Sequence, residues 1–472
     1  MSDPLGTLAG IAGDGWLVGG AVRDRALGRD TSDFDVATSG PVREMARALG
    51  RAAGGYAFEL SEAFGAWRVV AHDHSWQLDL LPLDGTTIEE DLSHRDLTVN
   101  AIAAPLGGDG HVDPFGGLED LRRRRLRRVS DEAFERDPLR VMRLARLACE
   151  LGFDVEERTL GLARASAPRL ADVAPERVFG ELRRVIAADR VLAGLELMDA
   201  AGAIGAVLPE LAALHGVEQS RFHHLDVFEH TLAVLAETVA LEREPDRLAG
   251  AHADALARRL AEPLANELTR GQALRFGALL HDIAKPQTRE VTPQGRVTFM
   301  GHDAGGATLS AAILGRLRAS ERLREYVAAL ARHHLRLGFL VHEMPLSRRA
   351  VYDYLHTTSP VAVDVTVLSV ADRLATRGDN SERAIARHLE LAREMLSEAL
   401  AWEADPPRPP VRGDELARAL GIRPGPLVGG LLAELEAASF SGELAGREEA
   451  IERARQLMKQ GGGDKVSPHA RP

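Results

Sequence analysis

Cysteine, lysine and long apolar runs are scarce in this chain, and each scarcity excludes something. The one cysteine, Cys149, rules out a disulfide framework and any zinc module built on several cysteines, and it suits a reducing cytoplasm. A metal site must therefore rest on histidine and carboxylate. The first twenty residues, MSDPLGTLAGIAGDGWLVGG, have neither the basic start nor the continuous apolar stretch of a signal peptide. Later apolar segments such as VAVDVTVLSVA are cut by acids, so a cytoplasmic protein with no membrane span is expected. Positive charge is in deficit: 58 basic against 70 acidic residues leave a net charge of −12. A nucleic-acid partner would need a local basic patch. Only Lys285, Lys459 and Lys465 are lysines; the Ala, Gly and Arg usage looks like a coding bias, which discounts arginine clusters and singles out Lys285. The remainder is ordinary for a folded protein, with 45% apolar and 27% charged residues over 472 positions. At about 150 residues per domain this makes roughly three domains.

Short segments rich in Val, Leu and Trp, separated by Gly, Asp and Ser, run from Gly15 to about Val129 and read as strands (WLVGG, WRVVA, WQLDLL). After Ser130 the spacing becomes helical, as in DPLRVMRLARLACELGF, and stays so to about Trp402, with breaks at Pro168, Pro209 and Pro263 and a hairpin or loop in PQTREVTPQGRV. A proline-stiffened linker, ADPPRPPVRGD, leads to short helices ending near Lys459, and the Gly- and Pro-containing last dozen residues are expected to be disordered. No repeat of fixed period is present.

The first chemical signal is WLVGGAVRD, read as a strand, a turn at Gly19 and Gly20, and a helix beginning near Val22. Glycines admit close approach of a ligand to the backbone, a helix start offers free N–H groups to phosphate, and Arg23 adds a guanidinium. Next, Asp33 and Asp35 alternate on a strand and point to one face about 7 Å apart, a spacing that suits divalent metals. Asp79, inside the apolar run WQLDLL, requires a cation or a donor. Singly, each is explained by a turn, a cap or an edge strand. Together they describe a site for in-line nucleotidyl transfer, in which metals activate a hydroxyl and neutralise leaving pyrophosphate.

GGAVRD, DFDVATSG, HRDLTVNAIA, DPFGGLEDL and RDPLRVMRLARL, in that order, resemble the class II tRNA nucleotidyltransferases and bacterial poly(A) polymerases of the DNA polymerase beta superfamily. The resemblance covers about half the chain. It implies that Gly19, Gly20 and Arg23 bind triphosphate, that Asp33 and Asp35 hold catalytic Mg²⁺ with Asp79 as a third acid, and that Arg95, Asp96 and Asn100 contact the ribose and phosphates. It further implies that Asp137 and Arg140 pair with the base edge of cytosine or adenine, that Arg143 completes the nucleotide-binding set, and that Glu176 and Arg177 of PERVFGE brace the base-reading helix. Arg136 departs from the family, which has an acid there. On a helix, Asp137 and Arg140 would share a face, with Pro138 in the first turn.

Complete CCA-adding relatives carry a flexible basic loop before the HRDLTVNA motif, whereas here Leu81 to Asp91 runs almost directly into it. That deletion resembles enzymes that add two cytidines and leave the terminal adenosine to a separate A-adding partner. The stretch from Arg122 to Arg128 is a candidate grip on the tRNA backbone, with a solvated face as the plain alternative.

Histidines concentrate between about 221 and 380. His230, His281-Asp282, His302, His333-His334 and Asp372 form an ordered series of imidazoles and carboxylates, a recipe for a hydrolytic metal centre. The series resembles the HD phosphohydrolase domain. By that resemblance His230, His281, Asp282 and Asp372 ligate a divalent metal, His302, His333 and His334 are candidates for a second, Lys285 binds the scissile phosphate or pairs with Asp282, and His223 and His224 stand outside the ligand set. Relatives with both modules are associated with 2′,3′-cyclic phosphodiesterase or 2′-nucleotidase activity.

The expected protein is α+β. A polymerase-beta-like head with a mixed sheet (1–129) precedes a helical neck (130–220), an all-helical HD domain (221–402), a helical tail (403–460) and a disordered end (461–472). Leu416, Leu420, Leu427 and Leu431 give the tail its amphipathic spacing, suited to tRNA contact or to packing on the preceding domain. The expected reaction is addition of cytidines from CTP to tRNA 3′ ends. Alternatives are full CCA addition, which would also consume ATP, terminal A addition, poly(A) synthesis, and a phosphohydrolase carrying a catalytically silent RNA-binding head.

Overall fold

A computed structural model describes residues 3–11, 14–62, 64–219, 225–376 and 381–461. His223, His224 and the end beyond 461 lie outside the described residues. The chain divides into two compact units, 1–207 and 208–472. Among the described residues no helix is long and apolar enough to cross a membrane.

The first unit opens with a six-stranded mixed sheet of β1 (Gly15–Val18), β2 (Asp33–Thr38), β3 (Gly55–Ser61), β4 (Ala66–Ala71), β5 (Gln77–Pro82) and β6 (Ala103–Pro105), in the order β3-β4-β5-β2-β1-β6. Only β2 and β5 pair in parallel. Helix Val42–Ala53 joins β2 to β3 and buries Val42, Met45, Ala46 and Leu49, the one-sided spacing of an amphipathic helix. It lies against the face where Val36, Leu78 and Val69 are fully buried. Strand alternation turns Asp33, Asp35 and Asp79 to the other face. Helix Arg140–Leu151 follows the head, packs on helices Pro175–Ala187 and Val191–Ala200, and buries Met142, Leu144 and Leu147.

The Arg122–Arg128 run is not a free basic patch. Arg125 and Arg127 both pair with Asp120, which has no exposed surface, Arg128 pairs with Asp131 and Glu156, and Arg122 and Arg123 take Glu119. A buried carboxylate needs such counter-charge, so much of the run serves to close the head.

In the second unit, helices Val227–Arg243, Arg270–Leu280 and Ala362–Ala375 pack together, and His302–Arg316 pairs with Glu321–His333. The PQTREVTPQGRV stretch includes a hairpin of Glu290–Val291 and Val297–Thr298. Helices Gly413–Leu420, Pro426–Phe440 and Arg447–Gly461 form a small core around Leu416, Leu431 and Leu435, while Leu427 is exposed. The tail docks on helix Arg348–Thr358: Tyr352, Trp402 and Phe440 cluster with ring centroids 5.5–5.6 Å apart, and Arg349 forks onto Glu434. Packing, the plainer reading of the tail's apolar stripe, is what its aromatic face does.

Candidate functional site

In the head, parallel pairing sets Asp79 of β5 directly beside Asp35 of β2, with Asp33 two residues away on the same face. Burial, then repulsion from Asp33 and Asp79, pushes the Asp35 carboxyl up to about 6, against the pull of Arg95 and Arg68. A carboxylate held so uneasily is one that a divalent cation would relieve, so the acids fit a metal. Asp79 has its cation already: Arg68, opposite it on β4, donates from Nε and Nη2 to its two oxygens at 2.7 and 2.8 Å. The third acid is thus half of a bidentate ion pair. Asp33 accepts from Gln77 Nε2 at 3.0 Å.

Gly19 adopts φ +69°, and a Cβ there would lie 3.0 Å from Arg95 Nη1 and 3.6 Å from Asp35 Oδ2. The turn therefore has no room for a side chain beside Arg95 and Asp35. Helix Gly20–Ala26 starts two residues earlier than expected. Arg23 donates from Nη1 to Asn100 Oδ1 at 2.7 Å, and Asn100 Nδ2 donates to Asp96 Oδ1 at 3.0 Å. Asp96 is buried; desolvation alone would raise its pKa, but Arg143, Asn100 and the Leu97 N–H hold it below the ordinary value. Arg95 is fixed by Asp91.

Asp137 does not sit on the helix with Arg140. Its backbone is extended, its Oδ1 accepts from the Leu139 N–H, and the helix begins at Arg140 with Leu139 at the cap position, so Asp137 and Pro138 both lie in the turn ahead of the helix. The reason is local: a residue before proline is pushed out of the helical region. Arg177 donates to Asp137 Oδ2 at 2.8 Å, the bracing contact expected of PERVFGE. Arg140 donates to the carbonyls of His94, Arg95 and Ala133, tying this turn to the second motif. Arg143 bridges Asp96 and Glu181, and Arg146 joins Glu181 to Glu150.

A cavity of about 790 Å³ brings Gly19, Gly20, Arg23, Asp33, Asp35, Arg95, Asp96, Asn100, Arg140 and Arg143 to one wall, and Asp79 and Asp137 are not part of that lining. The cavity also takes in Phe64, His94, Arg146, Glu181 and Arg184, which the motif reading passes over. Arg68, the partner of Asp79, was equally absent from it. Only strand register identifies Arg68.

In the second unit, one carboxylate organises the cluster. Asp282 Oδ2 lies 3.1 Å from His281 Nε2, 3.7 Å from His230 Nε2 and 2.6 Å from Lys285 Nζ, and Oδ1 lies 3.3 and 3.7 Å from the Nε2 atoms of His302 and His334. His230 Nε2 is also 3.1 Å from Asp372 Oδ1. Two compact triads result, His230-His281-Asp282 and Asp282-His302-His334. His281, His302 and His334 each turn Nδ1 to a backbone carbonyl, of Ala278, Phe299 and Ala331. That contact orients each ring and leaves Nε2 for a metal. His281 Nε2 is buried against the Asp282 carboxylate, and burial, then the neighbouring His281, lowers His334 to about 4, so His334 is neutral and ready to ligate. Desolvation opposes ionisation of Asp282, but His281 and Lys285 hold it well below the usual carboxylate range. These residues fit a divalent metal, shared through Asp282.

His333 is not in either triad: its Nδ1 accepts from Arg336 Nε at 2.9 Å. One residue along a helix is a rotation of about 100°, so His333 and His334 cannot both face the cluster. Lys285 Nζ also donates to Gln219 Oε1 at 2.7 Å, a partner without a sequence signal.

Residues 15–83 and 81–127 match a poly A polymerase head domain, residues 152–214 a probable RNA and SrmB-binding site of polymerase A, and residues 227–377 an HD domain. The chain is 38% identical to an A-adding tRNA nucleotidyltransferase of Deinococcus radiodurans, over 92% of this chain and 93% of that one. It is 36% identical to a CC-adding tRNA nucleotidyltransferase of Thermus thermophilus, over 95% and 94%. Among solved structures, a CCA-adding enzyme complexed with ATP superimposes with a TM-score of 0.66 at 17% identity, covering 96% of this chain and 94% of that chain, a likeness of fold. With the paired carboxylates, the braced Asp137 and these relatives in view, the chain belongs to the tRNA nucleotidyltransferase family and joins that head to an HD domain.

Proposed function

We propose that this tRNA nucleotidyltransferase adds two cytidines to the tRNA 3′ end and stops. The observation that carries the reading is the connection from β5 to helix Ile88–Ser93, which is only Leu83 to Thr87. It is also pinned: the Asp84 N–H donates to Asp91 Oδ2 at 3.1 Å, Asp84 Oδ2 lies 2.8 Å from His94 Nδ1, and Thr86 donates to Glu90. The place where complete CCA-adding relatives carry a flexible loop is a short, tied link. Without a movable element, nothing reshapes the base-reading turn from cytosine to adenine.

In this reading Gly19, Gly20 and Arg23 seat the triphosphate, Arg95 and Asn100 orient the ribose and phosphates, Asp137 and Arg140 read the base edge, and Arg143 holds Asp96 beneath them. Asp33 and Asp35 would hold Mg²⁺, which when bound lowers the barrier to hydroxyl attack on the α-phosphate and neutralises leaving pyrophosphate. In the HD domain, His230, His281, Asp282 and Asp372 would hold one divalent metal and His302 and His334 would share Asp282 with another. Lys285 meets the phosphate of a 2′,3′-cyclic or 2′-phosphorylated nucleotide. The enzyme would work in the cytoplasm beside a separate A-adding partner.

The second reading is terminal A addition, favoured by the Deinococcus relative. Two substrates separate them: tRNA lacking its 3′ end and tRNA ending in CC, each with Mg²⁺ and both CTP and ATP, followed by sequencing of product ends. CC on the first and no extension of the second is expected. Extension of the second alone means A addition, and CCA on the first overturns the loop argument.

A further inference from the structure

The cavity in the head has to seat two partners, a nucleotide and the hydroxyl that attacks it, and the groups assigned above serve the first. Gly19, Gly20, Arg23, Arg95, Asn100 and Arg140 are the part of its lining that the proposed reading gives to the nucleotide. The same cavity has an apolar share, Phe64, Leu81, Pro82 and Leu83, that this reading leaves unused. Strand register brings these residues to one corner. β4 runs antiparallel to β5 with Trp67 opposite Leu80, so the turn ahead of β4 meets the end of β5, and a Cβ on Gly65 would lie 3.7 Å from Pro82 Cγ. Phe64, in that turn, is 75% exposed. An apolar corner with an open aromatic ring, set in the wall of a polar cavity, marks a contact that a ligand completes. Its distance from the acids is short. Leu81 pairs with Ala37, two residues past Asp35, which puts it on the same face and about 7 Å further along the strand. The corner therefore begins within the length of a single nucleoside from Asp35. Tyr56 and Phe58 are also exposed and stand in line with Asp33 and Asp35, but on β3, three strands or about 14 Å away and outside that length.

We infer that Phe64 is a primer-binding residue: the base of the one nucleotide that carries the attacking 3′ hydroxyl stacks on its ring. The inference rests on the nucleotide-binding roles proposed above. It asks for the terminal nucleotide alone, so it holds whether the nucleotides behind it are paired or free. The chemistry of the ring decides between the two bases present in the cavity. An aromatic face accepts any base, because every base has a π-face. The incoming base has to be chosen, which takes hydrogen bonds that a phenyl ring cannot make. The primer's last base is not chosen and changes as addition proceeds, so a contact without a code suits it. Holding that base fixes the sugar attached to it, and with the sugar the hydroxyl that must face Asp33 and Asp35.

The test compares the wild type with Phe64→Ala and Phe64→Trp on two primers: tRNA lacking its 3′ end, and the same tRNA with its last base removed and the ribose kept. Incorporation of CTP is measured while the primer, and separately CTP, is varied. With the ordinary primer, Phe64→Ala raises KM for tRNA by about fivefold or more, the loss of one stacked base, and leaves KM for CTP within about twofold. Phe64→Trp keeps KM for tRNA near the wild-type value. With the abasic primer the wild type shows the same rise, and Phe64→Ala adds nothing to it. An unchanged KM for tRNA in Phe64→Ala overturns the assignment. A rise in KM for CTP equal to or larger than that for tRNA also overturns it, by giving the ring to the incoming base or to the framework of the site. A second full rise when Phe64→Ala meets the abasic primer does the same, because the primer's base then rests elsewhere. A wild-type protein that extends no tRNA sinks the reading beneath the inference, a result distinct from failure of the variant alone.

Discussion

Substituting Gly19 by alanine separates strain in the backbone from damage to the site. Gly19 has φ +69° and ψ −134°, a region that other residues reach only at a cost of about 1–3 kcal/mol. The added methyl would also sit 3.0 Å from Arg95 Nη1 and 3.6 Å from Asp35 Oδ2. Arg95 has little freedom to yield, since Nε and Nη2 both donate to Asp91 Oδ1, at 3.1 and 3.0 Å. Displacing it by a few tenths of an ångström moves a group that the proposed reading sets on the nucleotide, and a misplacement of that kind costs about a hundredfold in rate when it approaches 1 Å. Gly28 supplies the control, because it shares φ +69° but has nothing within 4 Å of its Cβ position. Urea denaturation should show both Gly19→Ala and Gly28→Ala destabilised by about 1–3 kcal/mol. CTP incorporation into tRNA lacking its 3′ end should fall by about tenfold to a hundredfold for Gly19→Ala and stay at the wild-type level for Gly28→Ala. Equal activity in the two variants would refute the claim that the glycine makes room at the site.

Two other perturbations address the second unit. Asp282→Asn removes the carboxylate common to both triads and the counter-charge of buried Lys285; made in an Asp33→Ala/Asp35→Ala background that silences the head, it should abolish the tight Mn²⁺ binding that the background alone shows by calorimetry, and retention of one tight equivalent would show that the triads are independent. His388 is buried, with Nε2 3.2 Å from Ser369 Oγ, and burial, aided by Arg373 and opposed by Asp372, lowers it from 6.5 to about 4. The unfolded chain therefore takes up this proton first, so the stability from a neutral His388 is full above pH 6.5 and is lost as pH falls towards 4. At about 1.4 kcal/mol per pH unit this amounts to about 3 kcal/mol. His388→Asn should remove that share of the pH dependence in urea melts between pH 7.5 and 4, and an unaltered slope would exclude His388 as its source.

Chemistry carried by short local patterns could be read directly. A glycine pair between strand and helix, acids two apart on a strand, and the His-Asp pair ending an apolar helix each place their groups by backbone period alone, and the head, the helical remainder and the family followed. Where partners come from distant segments, the pattern was silent. Asp79 was seen to need a cation, but Arg68 is its partner only because β4 pairs with β5 in that register. Asp137 and Arg140 looked like one helical face until Pro138 moved the helix start to Arg140.

By itself, then, the sequence determined the family and the local placement of each candidate group, because those groups sit on single strands and helices whose geometry depends on near neighbours. Tertiary structure decided which of them meet. It turned His334 inward and His333 out, made Asp282 the common member of two triads, tied Arg125, Arg127 and Arg128 of the basic run into ion pairs, and set Tyr56 and Phe58 in line with Asp33 and Asp35. Each of these outcomes depends on strand order, register or helix packing between segments far apart in the chain, and such contacts exist only once the chain has closed on itself.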